Sequence, residues 1–221
     1  MNKKTAVIAG ASGLIGRRIA DQLIADGGWQ ITGLARRAQT RPGMQWIAVD
    51  LADRTDVEKK IAGIDANHIF YAARYDHPVE GKTEDVETNT NMLKNLVCAV
   101  EAAGRLEHVH ALHGSKWYGH QLGPVKLPLE EDKSARSPNE NYYFEQDAFL
   151  RAHSAGKSWG WSSSRPHAFC DRKGRRHVTP PIDHGDIRCL AGANGAFVEQ
   201  ADVHAARPQH VRHPRAQDVV F

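Results

Sequence analysis

The sequence predicts an α/β fold, a doubly wound parallel sheet, on three observations. Short β-rich runs alternate with stretches whose apolar residues recur at helical spacing. A glycine-rich turn lies between the first run and the first such stretch, and the alternation ends near residue 168. The β-rich runs are 5–9, 30–34, 45–49, 68–72, 108–112 and 161–164, and strands separated by helix-length segments pair in parallel through βαβ crossovers. Between the first two, Ile15, Ile19, Leu23 and Ile24 form a helical stripe that Gly27 and Gly28 end. A second stripe, Met92, Leu93, Leu96, Val97 and Val100, predicts a helix over 84–103 closed by Gly104, and a third helix is expected over 143–155. The polar stretch 119–141, with Pro124, Pro128 and Pro138, reads as a long connection. Connections of that length inside a compact domain are usually functional or disordered.

The chain has 221 residues, 41% of them hydrophobic, which suits one globular domain and a little over. Its 29 Lys and Arg against 26 Asp and Glu leave a net charge of +3, too small a field to indicate nucleic acid as partner. The longest apolar run, 93–103, is broken by Lys94, Asn95 and Glu101, so no membrane span is expected. The opening residues lead through a short apolar run into the glycine turn, too little for a signal-peptide core, and a cytoplasmic location is the expectation. Cys98, Cys170 and Cys189 show no paired metal spacing, and their odd number fits a reducing compartment; neither a metal nor a disulfide is expected to hold the fold. The expected partner is a small-molecule substrate, with a homodimer left open.

The first run leads into Gly10-Ala11-Ser12-Gly13-Leu14-Ile15-Gly16 and then a helix. Glycines are needed where the chain turns tightly, where backbone approaches a pyrophosphate and where helix and strand pack closely. A phosphate would sit on the free N–H groups at the positive end of the helix. Gly10, Ser12, Gly13, Leu14, Ile15 and Gly16 are therefore the predicted cofactor contacts of a Rossmann-type domain. The carboxylate that would bind the 2′-hydroxyl of NAD is absent from the end of the second run, which reads Gly33-Leu34-Ala35-Arg36-Arg37. A guanidinium fork matches a phosphate, so Arg36 and Arg37 favour NADPH; the plainer reading is two solvated arginines. Asp50, ending the third run, could cap a helix through Asp53 or face the adenine; its position suits the second role, and Leu51 beside it is counted with it among the expected cofactor contacts.

Further motifs follow in order: His68-Ile69-Phe70-Tyr71, His113-Gly114-Ser115-Lys116-Trp117-Tyr118, Asn141-Tyr142-Tyr143 with Asp147, and Trp161-Ser162 with Arg165-Pro166. With the glycine loop and the arginine pair they resemble the progesterone 5β-reductase/iridoid synthase-like branch of the short-chain dehydrogenase/reductases. The resemblance implies NADPH-dependent 1,4-reduction of an activated C=C bond in an enone or enal. It places the family's catalytic lysine on Lys116, in a pattern like Thr-Gly-x-Lys with His113 in place of the threonine. It places the catalytic tyrosine on Tyr142, with Asn141 where the family's Phe-Tyr-Tyr motif has phenylalanine.

The chemistry explains why such residues are needed. Hydride arriving at the β-carbon develops enolate charge on the carbonyl oxygen, which a phenol stabilises by hydrogen bonding. An ammonium nearby holds the ribose and is expected to lower the phenol's pKa. The Tyr-x-x-x-Lys spacing of many short-chain dehydrogenases is absent: Gln146 follows Tyr142 at that distance and Asp147 follows Tyr143. Trp117, Tyr118, Trp159 and Trp161 read as packing residues. His108, His110 and His113 alternate along a run, a spacing that puts them on one face, yet no carboxylate or cysteine joins them to make a metal site.

Residues 171–221 hold five of the 13 histidines and four of the ten prolines, with seven Arg to one Lys, and keep no period of 2 or 3.6. The division expected is an NADP-binding domain over 1–168 and an irregular tail over 169–221, either disordered or read out of frame. Back-translating 169–177 one nucleotide out of register permits Ser-Ala-Ile-Gly-Lys-Ala-Val-Gly, the kind of turn the family shows there. Family members continue into a substrate-covering domain, so the resemblance leaves open whether this truncated or frameshifted chain is active. Two other functions compete: a non-catalytic NADP(H)-binding sensor, opposed by the presence of both Lys116 and Tyr142, and an NAD-dependent sugar-nucleotide epimerase or dehydratase, opposed by the missing Tyr-x-x-x-Lys.

Overall fold

The computed structural model describes residues 4–37, 39–76, 84–119, 122–125, 129–130 and 141–166, with the strand residues 169–170, 176–177 and 201–202. Six strands, β1 (Lys4–Ala9), β2 (Trp29–Ala35), β3 (Gln45–Ala48), β4 (His68–Tyr71), β5 (His108–Leu112) and β6 (Gly160–Ser164), form a parallel sheet in the order β3-β2-β1-β4-β5-β6. Each matches an expected run to within two residues. β1 is central and flanked by strands on both sides, so Val7 and Ile8, which point to opposite faces, are both fully buried.

Helices α1 (Leu14–Asp26), α2 (Arg54–Ile61), α3 (Val86–Glu101) and α4 (Tyr142–Ser154) connect the strands. On one face α1 packs Ala20 and Leu23 over Ala6, Ile8 and Ile31. On the other, Val57 of α2, Leu93 and Leu96 of α3 and Leu150 of α4 share a core with Ile69 and Val109. The starts of α3 and α4 are set by side-chain caps, which explains their small offsets from the expected bounds. Asp85 accepts from Thr88 N at 2.8 Å and starts α3 two residues later than expected, and Asn141 accepts from Tyr143 N at 3.0 Å and starts α4 one residue earlier. α2, of which the sequence offered only a cap at Asp53 and no apolar stripe, is eight residues long, and Asp53 starts it by accepting from Thr55 N and Asp56 N.

Three two-residue strands were not expected. β7 (Phe169–Cys170) and β8 (Arg176–His177) form a separate antiparallel pair, and β9 (Ala201–Asp202) adds antiparallel to the outer edge of β6. The rest of the expected tail, and most of the 119–141 connection, lie outside the described residues. Among the described residues, no helix is long and apolar enough to cross a membrane, and no three His, Cys, Asp or Glu side chains converge as metal ligands.

Candidate active site

The chain leaves β1 for β2 on one side and later β4 on the other, so a crevice opens at the carboxyl ends of β1 and β4. The glycine loop crosses it. Gly10 has φ 74°, and a Cβ there would lie 2.6 Å from the Ala72 carbonyl oxygen, so only glycine lets the loop pass over the end of β4. Gly13 N donates to Gly10 O at 2.9 Å to close the turn. Gly13 is also the N-cap of α1 and is exposed; no side chain caps the helix, which leaves its first-turn N–H groups for an anion. Ser12, Leu14 and Ile15 are half-buried around this turn.

Ala11 N donates to Leu34 O and ties the loop to β2, whose continuation carries Arg36 and Arg37. Both arginines are exposed, and neither makes an ion pair or hydrogen bond among the described residues, whereas nearby Arg41 pairs with Asp21. Asp50 and Asp53 differ in what they hold. Asp53 caps α2, while exposed Asp50 accepts from Ala52 N at 3.0 Å and donates its own N–H to Asp56 Oδ2 at 2.9 Å. Leu51 is buried in the core, and its carbonyl accepts from Asn95 Nδ2 at 2.9 Å, which fixes this loop against α3.

After β5 the chain passes Gly114 into a single 3-10 turn (Ser115–Tyr118) that carries Lys116. The Lys116 ammonium donates to Glu84 Oε1 at 2.6 Å, just ahead of the α3 cap. The head of α4 meets this turn from the other side. Tyr142 and Tyr143 stand edge to face at 4.6 Å, and both pack with Trp117 and Tyr118. The Tyr143 hydroxyl lies over Gly114, where a Cβ would come within 3.0 Å of it. Glu84 thus pairs with Lys116, and its charge reaches both phenols.

The phenols do not titrate as the sequence suggested. Burial pushes the Tyr142 phenol well above its ordinary value, with the neighbouring Tyr143 and the Glu84 carboxylate adding to it. Burial, then Glu84, pushes Tyr143 up to about 12. The cation that lowers both phenols is Arg74 and not the expected Lys116, and burial outweighs it. Glu84 itself escaped the sequence reading; nothing in Thr83-Glu84-Asp85 distinguishes it from an ordinary acidic helix start.

At the ends of β5 and β6, His113 stacks between Trp117 and Tyr143 at 6.1 and 4.9 Å, and burial followed by the Arg165 charge pushes its pKa down to about 3. The buried Arg165 guanidinium lies 3.7 Å from the centre of the Trp117 ring and 3.8 Å from Asp147. Gln146, at the position a Tyr-x-x-x-Lys lysine would take, is fully buried and donates to Asn89 O at 2.9 Å. The three histidines do not share a face. His108 and His110 bracket Ser162 Oγ at 2.8 and 2.9 Å, whereas His113 lies beyond β5 and packs against α4. Trp117, Tyr118, Trp159 and Trp161 are buried, as their reading as packing residues anticipates.

Strand order, glycine loop and crevice together define a Rossmann-type α/β domain. The chain belongs to the NAD dependent epimerase/dehydratase family, whose model matches residues 6–171. It is 30% identical over 180 residues to the short chain dehydrogenase gsfE of Penicillium aethiopicum, a match covering 75% of this chain and 47% of that protein. It is 29% identical over 136 residues to the short chain dehydrogenase sirS of Leptosphaeria maculans, covering 55% of this chain and 32% of that one. The chain thus spans half or less of the length of these relatives. Among solved structures, the UDP-glucose 4-epimerase of Thermus thermophilus in complex with NAD superposes with a TM-score of 0.61 at 22% identity, over 76% of this chain and 57% of that one. The Bordetella bronchiseptica enzyme WbmH in complex with NAD+ gives 0.60 at 19%, over 80% and 59%. At these identities the superpositions establish the fold.

Proposed function

We propose that the chain is an NADPH-dependent reductase that carries out 1,4-reduction of an enone or enal, with Tyr142 and Lys116 as its catalytic residues. The observation that carries the reading is that the turn after β5 that bears Lys116 packs, through Trp117 and Tyr118, on Tyr142 and Tyr143 at the head of α4, at the same end of the sheet as the glycine loop.

The glycine loop fits a dinucleotide: Gly10 holds a conformation and an approach that a side chain would block, and the uncapped head of α1 offers N–H groups to a pyrophosphate. Arg36 and Arg37, free of partners among the described residues, would take the 2′-phosphate, and Asp50 at the end of β3 would face the adenine. Bound NADPH would supply a hydride to the β-carbon. Tyr142 would donate its O–H hydrogen bond to the oxygen of the resulting enolate, and a proton from water at the α-carbon would complete the saturated carbonyl compound. Burial keeps that phenol protonated, which suits a donor. Lys116 would hold the ribose hydroxyls.

Family membership favours a second reading, a sugar-nucleotide epimerase or dehydratase. Against it stands Gln146, buried and held by α3 where the lysine of Tyr-x-x-x-Lys would project from α4. Incubation of the full chain with a small cyclic enone and NADPH deuterated at the transferred position distinguishes the two. The reductase reading expects a saturated ketone deuterated at its β-carbon. An allylic alcohol, or turnover only of a nucleotide sugar, would overturn it. The family match ends at residue 171, close to the change in composition, which supports the division at 168 and an out-of-frame tail; sequencing the gene from codon 165 to codon 175 tests this.

A further inference from the structure

We propose that Glu84 is a positioning residue: it holds the Lys116 ammonium in an ion pair, and Lys116 must leave it to engage a ribose. The inference rests on the reading of Lys116 and Tyr142 as the catalytic pair. Lys116 Nζ lies 2.6 Å from Glu84 Oε1, and the two side chains are only 29% and 15% exposed, so the pair is partly shielded from water and from screening by salt. Glu84 Oε2 is buried and has no hydrogen-bond partner among the described residues. A carboxylate with one oxygen unsatisfied keeps a strong demand for a cation or donor.

The groups around Glu84 come from three directions. Arg74, after β4, pairs with Asp76, and its charge also reaches Glu84 and lowers both phenols; Lys116 comes from the turn after β5; Tyr142 and Tyr143 come from α4, with neutral His113 stacked behind Tyr143. Lys116 is the cation that reaches Glu84 by a direct ion pair among the described residues, and both phenols sense the carboxylate. After burial itself, the Glu84 charge is among the influences that raise both phenols. The arrangement favours a protonated hydroxyl donor and disfavours a phenolate base, which suits reduction better than the reverse reaction. Ribose hydroxyls at Lys116 would compete with Glu84 for the same ammonium.

The test compares the full chain with its Glu84→Gln and Glu84→Asp variants. Lysines are acetylated under limiting reagent near neutral pH, and the rate at Lys116 is read by peptide mass spectrometry against Lys59 and Lys94 as internal references. Release from a charge-assisted pair should raise acetylation of Lys116 by roughly tenfold in Glu84→Gln, with Glu84→Asp near the parent rate. NADPH should change acetylation of Lys116 in the parent and not at the reference lysines. Unchanged Lys116 reactivity in Glu84→Gln, with reference rates showing an intact fold, would overturn the proposal. This readout needs no turnover, so a chain that reduces no enone but shows the tenfold rise would contradict the reductase reading and leave the ion-pair role standing. In a chain that does turn over, Glu84→Gln should also move the alkaline limb of the pH–rate profile to lower pH; a superimposable profile would contradict the effect on the phenol.

Discussion

Gly16 packs so closely beneath Gly10 that a methyl group on it would meet the Gly10 carbonyl oxygen and lie 2.7 Å from the Ala11 Cα. All of these obstacles are backbone atoms of the turn that faces the crevice, so none can rotate aside. Gly16→Ala should therefore destabilise the chain by about 1–3 kcal/mol, the usual cost of overpacking, and weaken dinucleotide binding with it. Gly28→Ala, where a Cβ would meet nothing within 4 Å, is the control and should leave the urea midpoint almost unchanged.

Arg36 and Arg37 should set the preference between the two nicotinamide cofactors. Charge-assisted hydrogen bonds to a phosphate contribute roughly 1.5–3 kcal/mol, so Arg36→Ala should weaken NADPH by about tenfold or more and leave NADH nearly unaffected. Fluorescence titration of both cofactors checks this, and equal affinities in the parent chain would contradict it.

Acid should unfold the chain earlier than its carboxylates alone would dictate. Burial holds His108 and His110 down to about 4 and His113 down to about 3, and it lowers His68 as well. An unfolded histidine takes a proton near pH 6.5, so these groups contribute stability that is fully present above that pH and is lost as pH falls towards their folded values. Each buried ring should cost on the order of 1.4 kcal/mol per pH unit within that window. Melting temperatures measured from pH 7.5 to 5 should fall steeply in the parent and less steeply in a His108→Gln, His110→Gln double variant.

The sheet was legible because its signal is local: runs such as Val7-Ile8-Ala9 and Val109-His110-Ala111 name their own strands, and Gly10 to Gly16 names the turn. α2 was not, since Val57 and Ile61 are too few apolar residues to show a period and its start depends on one cap, Asp53. The site was half legible. Motif resemblance singled out Lys116 and Tyr142, and Trp117 and Tyr118 pack the turn that carries Lys116 on the head of α4. Glu84 and the Arg165–Trp117 stack were not found, because each depends on residues 32 and 48 positions away in sequence, as Glu84 to Lys116 and Trp117 to Arg165. The one-face reading of the histidines fails at His113 because it stands three residues beyond His110: a period of two keeps His108 and His110 together and turns an odd step away from them, and β5 has in any case ended at Leu112.

The central claim, that Tyr142 supplies the hydroxyl donor for reduction of an activated C=C bond, is tested most directly by NADPH-dependent turnover of a small enone in the parent, Tyr142→Phe and Tyr143→Phe. Each substitution keeps the ring and removes one hydroxyl, so packing at the head of α4 is preserved. The account predicts that kcat falls by roughly 100-fold or more in Tyr142→Phe, the usual scale for a lost proton donor, while NADPH affinity is retained and Tyr143→Phe keeps most of its turnover. Undiminished turnover in Tyr142→Phe would contradict it.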